Sequence, residues 1–594
     1  MKPHRHPPFL LLPSAFILLS LACAVLTGPY LAPPATATLL PSPTATLPAS
    51  TVNPNPSTSL PSTSSPRLPS PTAPPQSPAA NSLADVWLEP SDIITHPDAA
   101  LYSGDQVSFE VLAHSYKSVD GLPVTIYRET LGGEIIAKGQ YEQSGLAGRE
   151  QATFYWAWDT AGLVGPQPIV VALDPAHEVL NDDPDLTNNV ITVTLQLLPA
   201  NDRPQPEPEA GWTSDETDCC VFYYITHTAA ERDLARIEST ADHELRAVEE
   251  RLGVRQRKKL RFTLLSRLLG HGGFASETIS ITYIDRDYAG GDLPQVFRHE
   301  ATHILDRQLA DLRPTLLTEG LAVYTAGGHF KVENLEARAA ALVALGRYIS
   351  LAQLADDFYP SQHETGYLEG GAFIDYLVKT YGWDAFKTFY GSFRQAPSDS
   401  AMLDGALQLN FGKNLAAIES DWLARLRAVP TDAAQIADLR DSVAFYDTVR
   451  RYQQLMDPSA FYADAWLPDT EQMRERGIVA DYVRHPDAPE NVALETMLVE
   501  ASGAIAAGDF ARAEWLIASV NAVLGTGVTG ANAFADPLAA QYLAVVQSAE
   551  AEGYEPQHIS LNGPIAHVAA IGDWPTIAQL TFTQSGGEWQ LSSN

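Results

Sequence analysis

Cysteine is close to absent from this chain: Cys23, Cys219 and Cys220 are the only three among 594 residues. That is too few for a disulfide scaffold or a four-cysteine zinc site. Basic residues are also scarce, 38 Lys and Arg against 72 Asp and Glu, giving a net charge of −34. Nucleic-acid binding and docking to an anionic bilayer both need clustered cations, so both classes are excluded. No acidic residue precedes Asp85, and after the first thirty residues no apolar run is long enough to span a bilayer. What is present is 45% hydrophobic residues, enough for globular cores, in a chain too long for a single one.

Lys2 and Arg5 precede an apolar run from Phe9 to Leu26, the pattern of a secretory signal over residues 1–30. Ala22 and Ala24 offer a small-residue cleavage site, and Ser20-Leu21-Ala22-Cys23 resembles a bacterial lipoprotein box. An uncleaved anchor is the third reading. Each predicts an extracytoplasmic chain, secreted or tethered by its N-terminus to the outer face of a bacterial membrane. Residues 31–80 then hold 14 Pro and 17 Ser or Thr, with Arg67 as their only charge. Such a tract cannot bury apolar surface and predicts an extended stalk over 31–83.

From 84 to 200 the apolar period is two. Val107, Phe109, Val111 and Ala113 alternate with other residues, as do Ile169, Val171 and Leu173, then Ile191, Val193, Leu195 and Leu197. Turns at Ser103-Gly104-Asp105 and Gly132-Gly133 separate the runs, which predicts an immunoglobulin-like β-sandwich. The order Gly104-Asp105-Gln106-Val107, Trp156-Ala157-Trp158, Ala172-Leu173-Asp174-Pro175 and Asn188-Asn189-Val190 resembles the CARDB family of bacterial surface proteins. That resemblance implies a spacer with cell-surface contacts and no catalysis. Calcium at Asn181-Asp182-Asp183-Pro184-Asp185 is outweighed by the reading as a solvated turn, since the ligand spacing of a calcium loop is lacking.

After a linker over 201–217 the period becomes helical. Thr228 and Glu231 form a capping-box signature, Leu234, Ile237, Ala241, Leu245, Val248 and Leu252 an apolar stripe, and Gly253 a stop. Strands are expected at Leu260 to Leu265 and at Ile279 to Ile284, the second a candidate edge for pairing with substrate. Then comes His299-Glu300-Ala301-Thr302-His303, with Asp292 as cap and Pro294 in the first turn. Four residues of helix turn through about 400°, so both imidazoles leave one face and can share one Zn²⁺, with Glu300 beside them. Asp306 is expected to be a surface charge. Glu319 is the better third ligand, on a helix begun by Pro314 and ended by Gly327-Gly328, if a turn between Gln308 and Pro314 folds it back.

At these residues the chain resembles the gluzincin peptidases, the thermolysin-like and aminopeptidase-N-like clan, whose shared signature is His-Glu-x-x-His with a downstream Glu-Gly-x-Ala. The upstream helix–strand–strand order and Gly370-Gly371-Ala372-Phe373 fit the bacterial peptidase MA-like domains, over residues 218–430. The resemblance implies an α+β zincin fold, His299, His303 and Glu319 as zinc ligands, and Glu300 as general base. It also implies Tyr367 as oxyanion donor, with Tyr324 and His363 as rivals. Leu309 occupies the position of a metzincin's third histidine and excludes that group. Fifteen residues separate His303 from Glu319, and Val323 stands where thermolysin-like enzymes carry an Asp, so the partner that orients the ligands is unassigned. No Gly-x-Met-Glu-Asn motif precedes the helix, which favours cleavage within a peptide or protein substrate. A catalytically inactive peptidase-like scaffold or adhesion protein is the alternative.

Cys219 and Cys220 predict either a vicinal disulfide or two buried thiols. Leu415, Ile418, Trp422 and Leu426 form a stripe that closes the peptidase region. Residues 431–554 read as a helical accessory region with a helix-hairpin turn near Gly508, and 555–594 as a β segment ending in a hairpin around Gly586-Gly587.

Overall fold

The computed structural model describes residues 85–594 apart from 99, 144–149, 271, 330, 360–362, 462–469, 527–533 and 593–594. The expected targeting segment and stalk lie outside the described residues. Among those described, no helix is long and apolar enough to cross a membrane.

Residues 85–200 are β-rich. One five-stranded sheet runs Leu101–Tyr102, Val190–Leu198, Gly165–Leu173, Pro123–Arg128 and Ile135–Gln140. A four-stranded sheet runs Ile93–His96, Gln106–Val111, Glu150–Asp159 and Glu142–Gln143. Val107, Phe109 and Val111 from one sheet meet Ile169, Val171, Leu173 and Leu197 from the other in a single core. The period-two reading therefore held for these residues, whereas Ile191, Val193 and Leu195 are only half-buried. A bulge interrupts the pairing between Val107 and Phe109. Trp156 sits opposite it with φ 48°, its N–H held by Ser108 Oγ at 2.7 Å. In the Asn181–Asp185 loop, Asp183 and Asp185 accept hydrogen bonds from nearby N–H groups, and Asp182 pairs with Lys117.

The middle region is built on a second five-stranded sheet, in the order Trp212–Glu216, Cys220–Ile225, Leu260–Leu265, Ile279–Thr282, Gly273–Ala275. Two expectations need correction. The first strand lies inside the stretch read as linker, because Trp212 to Glu216 pair with Ile225 to Val221. Ile279–Thr282 is not an edge: the chain reverses to lay Gly273–Ala275 outside it, so all four of its residues are buried. Gly273-Phe274-Ala275 is too short to show a period, which is why the true edge was overlooked.

The Leu234–Leu252 helix buries the expected stripe, with Leu234 only partly covered, and Gly253 ends it in the left-handed region at φ 70°. The capping box does not form. Thr228 Oγ1 donates to the Ile225 carbonyl, Glu231 accepts the His227 N–H, and the helix is broken at Asp233. Cys219 and Cys220 are joined as a vicinal disulfide, the first of the two alternatives. The Leu415–Leu426 helix buries its four stripe residues as expected.

Beyond it, the Ala433–Met456 helix belongs to two cores: Leu439 and Val443 pack with the middle region, Phe445, Val449 and Tyr452 with the C-terminal one. Helices Pro489–Ala507 and Phe510–Gly525 form a hairpin turned at Gly508, followed by Pro537–Ala551. The expected terminal hairpin is half of a four-stranded antiparallel sheet, Glu555–Asn562, Ile565–Ile571, Ile577–Ser585 and Glu588–Leu591. Its first strand starts at Glu555-Pro556 with a register shift, which hid the alternation. Helices and sheet share one core with Leu268, Tyr288 and Ala289 of the middle region. The β-rich region is tied on by Arg484, buried and forked between Asp105 and Glu207 at 2.6–2.9 Å.

Candidate metal centre

His299, Glu300 and His303 lie on the Leu293–Leu305 helix, and Glu319 on the Thr315–Ala326 helix that packs against it. The second helix folds back through residues 306–314. Asp306 holds that turn, and its reading as a surface charge was wrong. It is fully buried, bonded to the Arg313 guanidinium and to the Tyr390 hydroxyl at 2.6 Å. Helical projection placed Asp306 away from His299 but could not show that another helix would cover it.

The return brings Glu319 Oε2 to 3.3 Å from both His299 Nε2 and His303 Nε2. The potential ligand atoms of the three all lie within 4.8 Å of one another. Ligands about 2.0–2.1 Å from a tetrahedral ion stand roughly 3.3–3.4 Å apart, so the donor set and its spacing fit Zn²⁺. Glu300 supplies a second sign of fit: it is 2% exposed, and its Oε2 has no hydrogen-bond partner among the described residues. A Cβ at Gly273 would stand 2.8 Å from Glu300 Oε1, so the glycine lets the edge strand approach the carboxylate.

Burial, helped by the neighbouring His303 and His329 and opposed by Glu319, pushes the His299 imidazole down to about 4. Burial also opposes charge on His303, but the Glu319 carboxylate outweighs it and raises His303 to about 9. Glu319 is buried too, yet the two histidines hold it well below the usual carboxylate range. Burial lifts Glu300 to about 8. The protein thus gathers one carboxylate charge and one proton in a place where two imidazoles converge, an arrangement in which a divalent cation can replace the proton.

Tyr367 lies on the His363–Tyr381 helix with its ring 6.0 Å from that of His299. Of its rivals, Tyr324 turns away, stacked on Trp383 and beneath Arg251, and the His363 side chain lies outside the described residues. Two groups at the site escaped sequence reasoning. Tyr359 donates its hydroxyl to Glu319 Oε1 at 3.1 Å. His329 stacks on Tyr367 at 4.4 Å, with Nδ1 2.7 Å from the buried Glu364 carboxylate. His329 stands directly after the helix-ending Gly327-Gly328, the one local hint that it points back toward the ligands. A second potential donor group, Cys219, Cys220 and Asp242, lies at the start of the sheet, its two sulfurs engaged with each other. No protein-family model and no curated protein matches the chain.

Proposed function

We propose that this chain is an exported zinc-dependent peptidase of the gluzincin type, cleaving within peptide or protein substrates. The observation that carries the reading is the convergence of His299, His303 and Glu319 from two helices, with the buried Glu300 carboxylate beside them. Zinc, when bound by those three, supplies a Lewis acid that acidifies water and polarises a peptide carbonyl. Glu300 takes the proton of the attacking water and passes it to the leaving amine. Tyr367 donates to the oxygen on which charge develops, while Tyr359 holds Glu319 in orientation. The edge strand beside Glu300 takes over the substrate-pairing role expected of Ile279 to Ile284. Bonds from Thr282 N–H to Gly272 O and from Ser276 N–H to Thr278 O leave the peptide groups of Gly273 and Ala275 on the outer side. In this reading the middle region is a zincin-type domain, and the β-rich region is a CARDB-like, immunoglobulin-type spacer. The signal and stalk carry both outside the cytoplasm.

Metal analysis of the purified chain, with hydrolysis of an unstructured protein, tests the proposal. Glu300→Gln should keep stoichiometric zinc and lose at least about 10²-fold in turnover. Cleavage equal to wild type by that variant would end the peptidase reading. Stoichiometric zinc with no hydrolysis by the wild type would favour the inactive scaffold instead.

A further inference from the structure

The C-terminal sheet carries a feature that the metal site does not use. A cleft of about 520 Å³ opens where the Pro537–Ala551 helix meets the last two strands. Ser548, Glu552, Leu580, Phe582, Trp589 and Leu591 line it. Trp589 is 5% exposed, and its indole N–H is buried with no acceptor among the described residues, a state interiors rarely tolerate. The cleft lies along an open sheet edge, since Glu588–Leu591 is the outermost strand and, among the described residues, pairs with Ile577–Ser585 alone. Ser592 N–H donates to Thr581 O, and alternation of the ladder then turns the peptide groups of Trp589 and Leu591 outward. Neither Lys nor Pro blunts this strand. Charge makes the third observation. Beyond Arg512 the chain has seven Asp and Glu and no Lys or Arg, with Glu552 in the cleft and Glu588 on the edge strand itself.

We propose that this edge and cleft bind an extended, Lys- or Arg-bearing polypeptide segment as a fifth strand. The guest backbone pairs with the outward peptide groups of Trp589 and Leu591. A cationic side chain of the guest meets Glu552. The site is separate from the metal centre and does not depend on its chemistry.

Fluorescence anisotropy on the full chain, with chelator present so that nothing is cleaved, tests it. The probes are a labelled decapeptide of alternating Lys and Val, its Glu-for-Lys counterpart, and the Lys peptide N-methylated at every second residue. The Lys peptide should bind, and the other two should bind at least about tenfold more weakly, one for lack of charge complementarity and one for lack of strand pairing. Glu552→Gln combined with Glu588→Gln, both exposed, should weaken the Lys peptide by about fivefold while hardly moving the urea midpoint. Equal binding of the N-methylated or the acidic peptide, an unaffected double variant, or no binding of the Lys peptide would each overturn the proposal. Because no turnover is read, failure here leaves the peptidase reading standing, and the reverse also holds.

Discussion

Replacing Gly320 by alanine should damage the metal centre more than the fold. Gly320 follows the proposed ligand Glu319 and faces Gly370 on the His363–Tyr381 helix. A Cβ there would stand 2.6 Å from the Gly370 carbonyl oxygen and 2.7 Å from its carbon. Ordinary contact begins near 3.4 Å, so the two helices must part by roughly 0.8 Å. Gly371 has no more room, since a Cβ on it would meet Val323 Cγ1 at 2.5 Å. Overpacking of this kind costs about 1–3 kcal/mol, while alanine regains about 1 kcal/mol of helix propensity over glycine. The net loss of stability is therefore only about 0–2 kcal/mol. Metal–ligand distances tolerate only about 0.2 Å, so zinc affinity should fall by about 10–100-fold. Chelator competition measures the affinity, and urea unfolding the stability. Gly405→Ala is the control: it sits on the exposed side of the Asp399–Phe411 helix, where a Cβ meets nothing. That change should add about 1 kcal/mol and leave zinc binding alone. If Gly320→Ala holds zinc as tightly as wild type, close helix approach is not what places Glu319, and the reasoning fails.

Tyr359→Phe removes the 3.1 Å bond to Glu319 and should weaken zinc by about 10–100-fold while hardly moving the urea midpoint; an unchanged affinity would deny the tyrosine its orienting role. Asp306→Ala leaves the half-buried Arg313 guanidinium and the buried Tyr390 hydroxyl without their carboxylate and should cost about 3–5 kcal/mol by urea unfolding, against under about 1 kcal/mol for an exposed pair. Asp233 is held below the usual carboxylate range, chiefly by the Arg232 guanidinium and also by the Tyr283 hydroxyl and Arg236. A depressed carboxylate stabilises the fold above about pH 4, its unfolded value, and that contribution is lost as the pH falls. Asp233→Asn should therefore be less stable than wild type at pH 7, and the gap should close as the pH drops below 4. An equal gap at pH 7 and pH 2.5 would remove the electrostatic account.

What the sequence disclosed was whatever one element carries by itself. His299, Glu300 and His303 sit within five residues, so the helical turn alone aligns them. Glu319 was legible because Pro314 and Gly327 mark the ends of its helix and leave a turn of the right length. The apolar stripe from Ile237 to Leu252, and the one from Leu415 to Leu426, needed only a period. What stayed hidden depends on chain return. Asp306 is buried by Tyr390, 84 residues away. Tyr359 and His329 reach the site from separate stretches, and no spacing rule links either to His299. Strand order is also non-local: Ile279 to Thr282 alternate as an edge strand would, yet Gly273–Ala275 pairs along their outer side and encloses them. Glu-Gly-x-Ala, met first as a motif, has a plain steric meaning, because its glycine lies where two helix backbones nearly touch.

The Ala433–Met456 helix has a consequence for where this protein could be divided. Composition suggests a cut near Pro430, between the region of the candidate metal centre and the helices that follow. Such a cut would take Leu439 and Val443 out of the core beneath that region, and would bare Leu268, Tyr288 and Ala289 on the other side. A truncation that keeps both cores whole therefore runs from Trp212 to Leu591, and one that ends near Pro430 should be the less stable molecule.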